Sequence, residues 1–256
     1  GGFNGYDAKT HGLAFGIDQQ IEKDLLVGAA FNINNTEVTS ANGAKKVNVD
    51  SYQLTLYGEK KYDEYFLDGF VAGALNRFGT DRRINLVGKT ASATYDGYSY
   101  SAKARVGMIN RLENGFDIIP HVGLVYAYNS STNYQESGAG TLDLSVNSSA
   151  AEMLIGDIGV ALSYDADLFQ YKLRPELKVS YGHDFIGNEQ VSAANFVGQS
   201  ALLNISNSRS DRNMIRLGLG ADIYSIDQFT LNASYLLEKR ETYQSHTGLI
   251  KAKYNF

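Results

Sequence analysis

The final residues of the chain, 246–256, place the strongest limit on what it can fold into. Side chains of a β-strand point alternately to its two faces. One face of this segment carries Ile250, Ala252, Tyr254 and Phe256. The other face carries Lys251, Lys253 and Asn255. A strand that is apolar outside, charged inside and aromatic at its last residue is typical of a membrane β-barrel.

The same alternation recurs along the chain. In residues 173–181 the odd positions are the apolar Leu173, Pro175, Leu177, Val179 and Tyr181, and the even positions are polar or charged. Two architectures produce such a pattern. A soluble sandwich buries the apolar face between two sheets, whereas a membrane barrel turns it toward lipid and lines a wet lumen with the polar face.

Four further features favour the barrel. Inward positions mix Gly, Ala and Ser with charges of both signs, and aromatic residues flank the short connections. Candidate strands are about 10–15 residues long, longer than those of most globular sheets. Short connections, near residues 19–24, 61–64, 112–115, 165–170 and 225–228, alternate with long polar ones, near 37–48, 81–90, 129–149 and 188–207.

Composition narrows the function classes. The chain has 256 residues with 18 Tyr, 12 Phe and 26 Gly but only 2 Pro, and no apolar run approaches the ~20 residues of a membrane helix. It has no Cys, which excludes disulfides and thiolate metal sites, and no metal or other cofactor is expected. A formal net charge of -5 argues against nucleic acid as a partner.

We therefore predict an all-β fold in which residues 1–256 form a single antiparallel transmembrane barrel domain. Eleven strands are predicted, at residues 11–18, 25–36, 48–60, 65–79, 92–110, 116–128, 150–164, 171–185, 208–224, 229–242 and 247–256. Single-chain bacterial barrels have even strand numbers, because the first and last strands then close antiparallel. We accordingly expect twelve strands in the native protein, the first preceding residue 1.

Several segments together resemble the C-terminal translocator domain of monomeric autotransporters. The resemblance covers essentially the whole chain, and no single segment carries it alone. It is found in residues 12–18, 51–58, 116–126, 134–138, 173–185, 216–220 and 254–256. It implies a twelve-stranded outer-membrane barrel of a Gram-negative bacterium, whose lumen holds a helix linked to an N-terminal passenger exported to the cell surface by type V secretion. It also implies outer-membrane lipid and the barrel assembly machinery as partners. The family's lumenal helix and first strand have no counterpart in residues 1–256.

The terminal strand is the first candidate functional element. Given the resemblance, Ile250, Ala252, Tyr254 and Phe256 are interpreted as an assembly signal that the assembly machinery recognises by strand pairing. The simpler interpretation, a lipid-facing last strand, is compatible with this one.

Charged residues predicted to face the lumen form the second candidate set. They are Asp18, Asp68, Lys103, Arg105, Asp157, Arg174, Glu176, Lys178, Asp184, Arg212, Arg216, Asp222, Lys251 and Lys253. They either contact the linker helix and the exported chain or form cross-strand ion pairs that brace the wall, and for each individual residue we favour the brace.

Catalysis is not expected. The four histidines, His11, His121, His183 and His246, fall on different predicted strands, whereas a catalytic triad or a metal site needs convergence in space. The predicted function is therefore a non-enzymatic translocator that anchors and exports a passenger. The alternatives are a stand-alone outer-membrane pore or adhesin barrel and, less favoured, an outer-membrane hydrolase.

Overall fold

The computed structural model describes residues 5–148, 150–168, 171–187, 191–199, 203–206, 211–224 and 228–255. These residues are mostly strand, with one 3₁₀ helix, η1, at Gly140–Leu142. The strands are β1 (Tyr6–Glu22), β2 (Leu25–Ser40), β3 (Lys45–Tyr62), β4 (Tyr65–Ile84), β5 (Lys89–Met108), β6 (Asn110–Arg111), β7 (Phe116–Ser131), β8 (Tyr134–Gln135), β9 (Leu144–Asn147), β10 (Ala151–Tyr164), β11 (Ala166–Leu168), β12 (Tyr171–Asp184), β13 (Val191–Phe196), β14 (Leu203–Ser206), β15 (Asn213–Tyr224), β16 (Phe229–Lys239) and β17 (Gln244–Tyr254).

Eleven strands follow one another through the main sheet in the order β1-β2-β3-β4-β5-β7-β10-β12-β15-β16-β17. Every neighbouring pair is antiparallel, and the short strands β6 and β11 pair with β7 and β12 beside this path. Consecutive pairing of this kind is an up-and-down meander and not the Greek-key order of a sandwich. The prediction of an all-β antiparallel barrel fold with about eleven strands in this chain is confirmed.

The strand register aligns the apolar side chains into continuous rows on one face. Val160, for example, lies between Pro120 of β7 and Val179 of β12. These side chains are exposed, with Leu75 at 70% and Ile250 at 78% of full exposure. In water such a surface would be strongly unfavourable, because each square ångström of apolar area costs about 25 cal/mol to hydrate. The apolar rows therefore form the lipid-facing surface.

The two edge strands of the main sheet come together. An antiparallel meander of eleven strands begins and ends in the same direction, so β1 and β17 run parallel. Within the described residues each has a single strand partner, β2 and β16 respectively. Lys253 Nζ nevertheless lies 2.6 Å from Asp18 Oδ1. The sheet is therefore curled, and the face that carries Asp18 and Lys253 is its inner face.

Two of the four connections predicted as long polar loops are extensions of the strands. β2 and β3 continue to a turn at residues 41–44, and β4 and β5 continue to a turn at residues 85–88. Gly43 (φ 67°) and Gly88 (φ 62°) occupy the left-handed region in these turns, which glycine enters without steric cost. The loop prediction was wrong here because extended strands that leave the membrane need no apolar face toward lipid.

The other two long connections contain a second sheet. Its order is β14-β13-β9-β8, so the connection between β7 and β10 pairs with the connection between β12 and β15. Ala139 and Ala194 of these connections are buried, at 0–1% exposure, and so is Ala91 of the neighbouring strand β5. A soluble-type core thus lies outside the lipid-facing band, where the sequence predicts only polar loops.

Candidate functional site: the inner face and the terminal strand

The structure places the predicted lumenal charges on the face opposite the aliphatic rows. All but Arg212 lie within strands of the main sheet, and Arg212 immediately precedes β15. Several of the arginines and lysines in this set form ion pairs with aspartates or glutamates. Other members of the set form no ion pair in the described part of the chain. Their contacts show what the inner face can do.

Asp68 and Arg105 are direct cross-strand neighbours on β4 and β5. Arg105 donates from Nε and Nη2 to Asp68 Oδ2, at 2.9 and 2.6 Å. The guanidinium also lies 5.3 Å from the ring centroid of Phe66, a distance typical of a cation–π contact. This ion pair links two adjacent strands, as expected if cross-strand ion pairs brace the wall.

Arg174 is the centre of a larger cluster that spans three strands. Its Nη2 donates to Asp117 Oδ2 at 2.5 Å and to Ser163 Oγ at 2.9 Å, and its Nη1 donates to Asp165 Oδ1 at 2.9 Å. Asp117 lies on β7, so the side chain of Arg174 reaches across β10 from its position on β12. The contact therefore links three strands through side chains on the inner face.

Asp117 and Asp165 are absent from the predicted set. The alternation in β7 places Asp117 on the inner face, so its strand pattern is a signal that would have found it. Asp165 follows the last residue of β10 and belongs to no alternating segment, so nothing in the sequence marks it. The residue in register with Arg174 on β15 is Asp222, which instead accepts from Asn232 Nδ2 at 2.7 Å.

Glu238 is a third carboxylate that sequence reasoning missed. It accepts from Arg216 Nε at 2.8 Å and from Arg240 Nε at 3.0 Å, so it bridges two arginines near the outer end of β16. The alternation along β16 would have placed it on the inner face. Lys178 forms a shorter-range pair with Glu176 on its own strand, at 2.6 Å.

The four histidines occupy four different strands, β1, β7, β12 and β17. His121 Nε2 lies 3.7 Å from Asp157 Oδ2, and both side chains are 7% exposed. His183 contacts Asn213 on the neighbouring strand, and His246 contacts Tyr235. Within the described ranges, no group of three or more His, Cys, Asp or Glu side chains has a geometry that would hold a metal ion.

Two inward aromatic rings lie directly over glycines of adjacent strands. A Cβ atom on Gly28 would meet the ring of Tyr57 at 2.4 Å, and one on Gly107 would meet the ring of Phe66 at 2.5 Å. Tyr57 also donates to Asp18 Oδ2 at 3.2 Å. These glycines therefore allow the two rings to lie flat against the wall.

The terminal strand β17 presents its predicted apolar residues outward. Ile250 and Ala252 lie in register with Ala233 and Leu231 of β16, and Tyr254 lies opposite Phe229. Ile250 is 78% and Tyr254 60% exposed. Phe256, the fourth residue of the predicted assembly signal, lies outside the described residues. In those residues β17 is the last strand of the main sheet and pairs with β16.

None of the helical residues that the structure describes forms a stretch with the length and hydropathy needed to cross a bilayer.

Comparisons with known proteins agree with this architecture. The model of the family described as the autotransporter beta-domain matches residues 1–236. Outer membrane protein B of Rickettsia japonica is 26% identical in an alignment that covers 100% of this chain and 16% of that protein. Outer membrane protein B of Rickettsia prowazekii is 24% identical with the same coverage. The chain thus spans about a sixth of the length of these relatives.

Two solved structures share the fold. The translocator domain of the autotransporter NalP from Neisseria meningitidis superposes with a TM-score of 0.81 at 18% identity, covering 98% of this chain and 82% of that one. The beta domain of the Bordetella autotransporter BrkA superposes with a TM-score of 0.67 at 15% identity, covering 98% of this chain and 92% of that one.

Proposed function

This chain belongs to the autotransporter β-domain family, and we propose that it anchors an N-terminal passenger in the outer membrane and exports it to the cell surface. Family membership and the outer-membrane relatives place the chain in the outer membrane of a Gram-negative bacterium. The proposed role is transport through a polar lumen and needs no catalytic step by this chain.

The observation that carries the proposal is the pairing of an apolar outer face with a charged, ion-paired inner face on one curled sheet. Three ion pairs on the inner surface link strands of the wall to one another. They are Arg105–Asp68, Arg174–Asp117 and Arg216–Glu238. A face that carries this many charged side chains favours a hydrated lumen, because transferring ions from water into an apolar medium is strongly disfavoured. A polar wall of this kind suits the passage of a polypeptide backbone.

The native barrel is proposed to close with a twelfth strand between β1 and β17. Two edges that run parallel cannot be joined by the antiparallel ladder that runs through the rest of the sheet. One additional strand, antiparallel to both edges, satisfies them together. A barrel of this size lies between eight-stranded barrels, which side chains fill, and sixteen-stranded porins, which hold open channels.

The bore of a twelve-stranded barrel suits one helix or an extended chain and not a folded domain. We therefore propose that the passenger passes unfolded and folds outside the cell. The proposed partners are outer-membrane lipid, the lumenal linker helix and the barrel assembly machinery, with Ile250, Ala252, Tyr254 and Phe256 presented on the terminal strand for recognition. The exposed outer face of β17 supports this reading of its apolar residues.

Surface display of a reporter tests the function. A tagged reporter replaces the passenger in the full-length protein, and intact cells are treated with protease to measure how much reporter reaches the surface. A second reporter carries an engineered disulfide that prevents unfolding. We expect the reporter to be displayed freely, and the disulfide version to be displayed only after reduction, because the lumen is too narrow for a folded domain. A reporter confined to the periplasm would favour the stand-alone pore, and equal display of the oxidised version would refute export in the unfolded state.

A further inference from the structure

The outward faces of β12, β15, β16 and β17 carry no carboxylate. The strand registers place the odd-numbered residues of β12, β15 and β16 and the even-numbered residues of β17 outward, together with exposed apolar side chains such as Leu219 and Ile250. Among the outward positions of these four described strands there is one Lys or Arg, Lys239, and there is no Asp or Glu. This part of the outer surface therefore carries an unbalanced positive charge.

Lys239 lies at the outer edge of the lipid-facing band. Its direct neighbours in register are Ile215 of β15 and Gln244 of β17. Ile215 is 59% exposed and continues the apolar rows, whereas Asn213, the next outward residue of β15, is polar. The side chain of Lys239 is exposed and forms no ion pair among the described residues, Glu241 of the following turn included. It is thus a free cation at the depth where acyl chains meet headgroups.

Outward cations near the outer ends of β1, β3 and β4 have carboxylate neighbours instead. Lys46 forms an ion pair with Glu37 at 2.7 Å. Lys9 lies in register with the same Glu37, and Arg77 lies in register with Asp50. The charges offset one another there, so that side of the barrel does not present a free cation of the kind found on β16.

Asn213 presents hydrogen-bond donors beside Lys239. Its Oδ1 accepts from the hydroxyl group of Tyr181 and from Nδ1 of His183, each at 2.7 Å. These two bonds fix the orientation of the amide group and occupy its oxygen. The Nδ2 group of Asn213 has no partner among the described residues, so it remains for an external acceptor.

Tyr235 supplies a further donor through a chain of hydrogen bonds. Gln244 Nε2 lies 2.7 Å from His246 Nε2, and because an amide nitrogen only donates, this ring nitrogen accepts. In the neutral ring the proton is then on Nδ1, which donates to Tyr235 Oη. The hydroxyl proton of Tyr235 is therefore available to an external acceptor. Lys239, Asn213 and Tyr235 together offer donors and no negative charge.

We propose that Lys239, Asn213 and Tyr235 bind a phosphate group of a phosphorylated lipid in the outer leaflet. Phosphate oxygens accept charge-assisted hydrogen bonds from an ammonium group and further bonds from neutral donors. Directly below the donors, Ile215 and Leu217 are 59% and 37% exposed and can meet the acyl chains of the same molecule. A lipid is therefore favoured over free phosphate, because one molecule satisfies both surfaces. The site requires the outer-membrane location of the chain and does not depend on export.

Binding of lipid A to the full-length protein tests the proposal. The tagged protein is captured in micelles of a detergent without phosphate, and the bound lipid A is quantified by mass spectrometry as its concentration is raised. Bis-phosphorylated lipid A is compared with dephosphorylated lipid A, and inorganic phosphate is added as a competitor. We expect removal of the phosphates to weaken binding by about tenfold or more, and inorganic phosphate to displace little of the lipid.

Substitutions then locate the site. Lys239→Gln should weaken binding of bis-phosphorylated lipid A by about tenfold, because a charge-assisted hydrogen bond is lost, and Lys239→Arg should retain it. Tyr235→Phe keeps the ring and should weaken binding by a smaller factor. Lys46→Gln is the matched control and should change the affinity by less than about twofold, since Glu37 already neutralises Lys46. The heat-dependent gel mobility of all four variants should match that of the unaltered protein, because the substituted side chains are exposed.

Three results would overturn the proposal. They are an unchanged affinity in Lys239→Gln, equal losses in Lys239→Gln and Lys46→Gln, and equal binding of lipid A with and without its phosphates. Ready displacement by inorganic phosphate would show that the group recognises phosphate without the lipid, and would overturn the assignment to a lipid. Passenger display on intact cells reports separately on export. Its failure in the unaltered protein would count against the export function and not against this site.

Discussion

Asp18 on the first strand and Lys253 on the last form an ion pair of 2.6 Å, although 235 residues separate them in the chain. Tyr57 donates to the second carboxylate oxygen of Asp18 at 3.2 Å. In the described residues the backbones of β1 and β17 are not paired with each other. The contact between the edges of the sheet is therefore made by inward side chains, and it identifies the inner face of the barrel wall.

Removing this ion pair should weaken the contact between the two edges of the sheet. We expect Lys253→Gln to lower the free energy of unfolding by about 1 kcal/mol, because the pair is only partly buried and water screens it. Heat-dependent mobility in detergent gels measures the loss. Lys251→Gln, two residues away on the same face, is the matched control, since Lys251 forms no ion pair in the described residues. Equal effects of the two substitutions would contradict a specific role for the Asp18 pair.

Lysine substitutions at neighbouring positions of β16 distinguish the two faces of the barrel. Ala233 lies on the outer face between Ala221 and Ile250, and Ser234 lies on the inner face. Ala233→Lys should cost ~2–4 kcal/mol because it places a charge against acyl chains, whereas Ser234→Lys should cost little. Folding titrations in lipid vesicles measure the difference. A larger penalty at Ser234 would reverse the assignment of the faces.

The Arg174 cluster should contribute more stability than the exposed pairs of the wall. Arg174→Gln leaves the carboxylate of Asp117, whose side chain is 10% exposed, without its partner. We expect a loss of about 3 kcal/mol, as is typical when one member of a buried ion pair is removed. Lys178→Gln, whose pair is more exposed, should cost less than about 1 kcal/mol. Denaturant unfolding checks both, and adding Asp117→Asn to Arg174→Gln should recover part of the loss.

Space above the inward glycines is limited. Gly28→Ala forces the ring of Tyr57 to move and should destabilise the barrel by about 1–3 kcal/mol, the usual cost of overpacking. Gly73→Ala, an outward position with no atom within 4 Å, should be neutral or slightly stabilising. The same unfolding assay compares the two. If Gly28→Ala were neutral, Tyr57 would not be held against the wall as described.

The turn between β16 and β17 should loosen in acid. The hydroxyl group and the backbone N–H of Thr242 both donate to Asp211 Oδ2, at 2.6 and 2.5 Å, and these hydrogen bonds hold the pKa of Asp211 below its ordinary value of 3.8. A carboxyl group with a lowered folded-state pKa stabilises the fold above the unfolded value and loses that contribution as the pH falls through the folded value. The hydrogen-exchange protection of the Thr242 amide should therefore be constant above pH 3.8 and fall below it. In Asp211→Asn the protection should be lower and should no longer fall at that pH.

The strand alternation predicts much of this fold because its cause is local. Side chains point to alternate faces of any extended segment, so Leu177 and Lys178 are assigned to opposite faces before any partner strand is known. The same alternation correctly predicts the eleven strands that follow one another through the main sheet. It fails near residues 37–48 and 81–90, where β2–β3 and β4–β5 continue as strands. Outside the lipid band the strands need not alternate between apolar and polar residues, because both of their faces meet water or protein there. The alternation therefore no longer identifies them as strands.

By itself, the sequence determined the class of fold and the face to which each strand residue belongs. The tertiary structure alone decided which charges meet: Arg174 with Asp117 across an intervening strand, Asp18 with Lys253 at the two edges, and Arg82 with Glu136 of the connection between β7 and β10. The reason is physical. The face to which a side chain points follows from the geometry of a single strand. The partner that it meets depends on the register between strands and on the curvature of the sheet, because these bring together residues that are far apart in the chain.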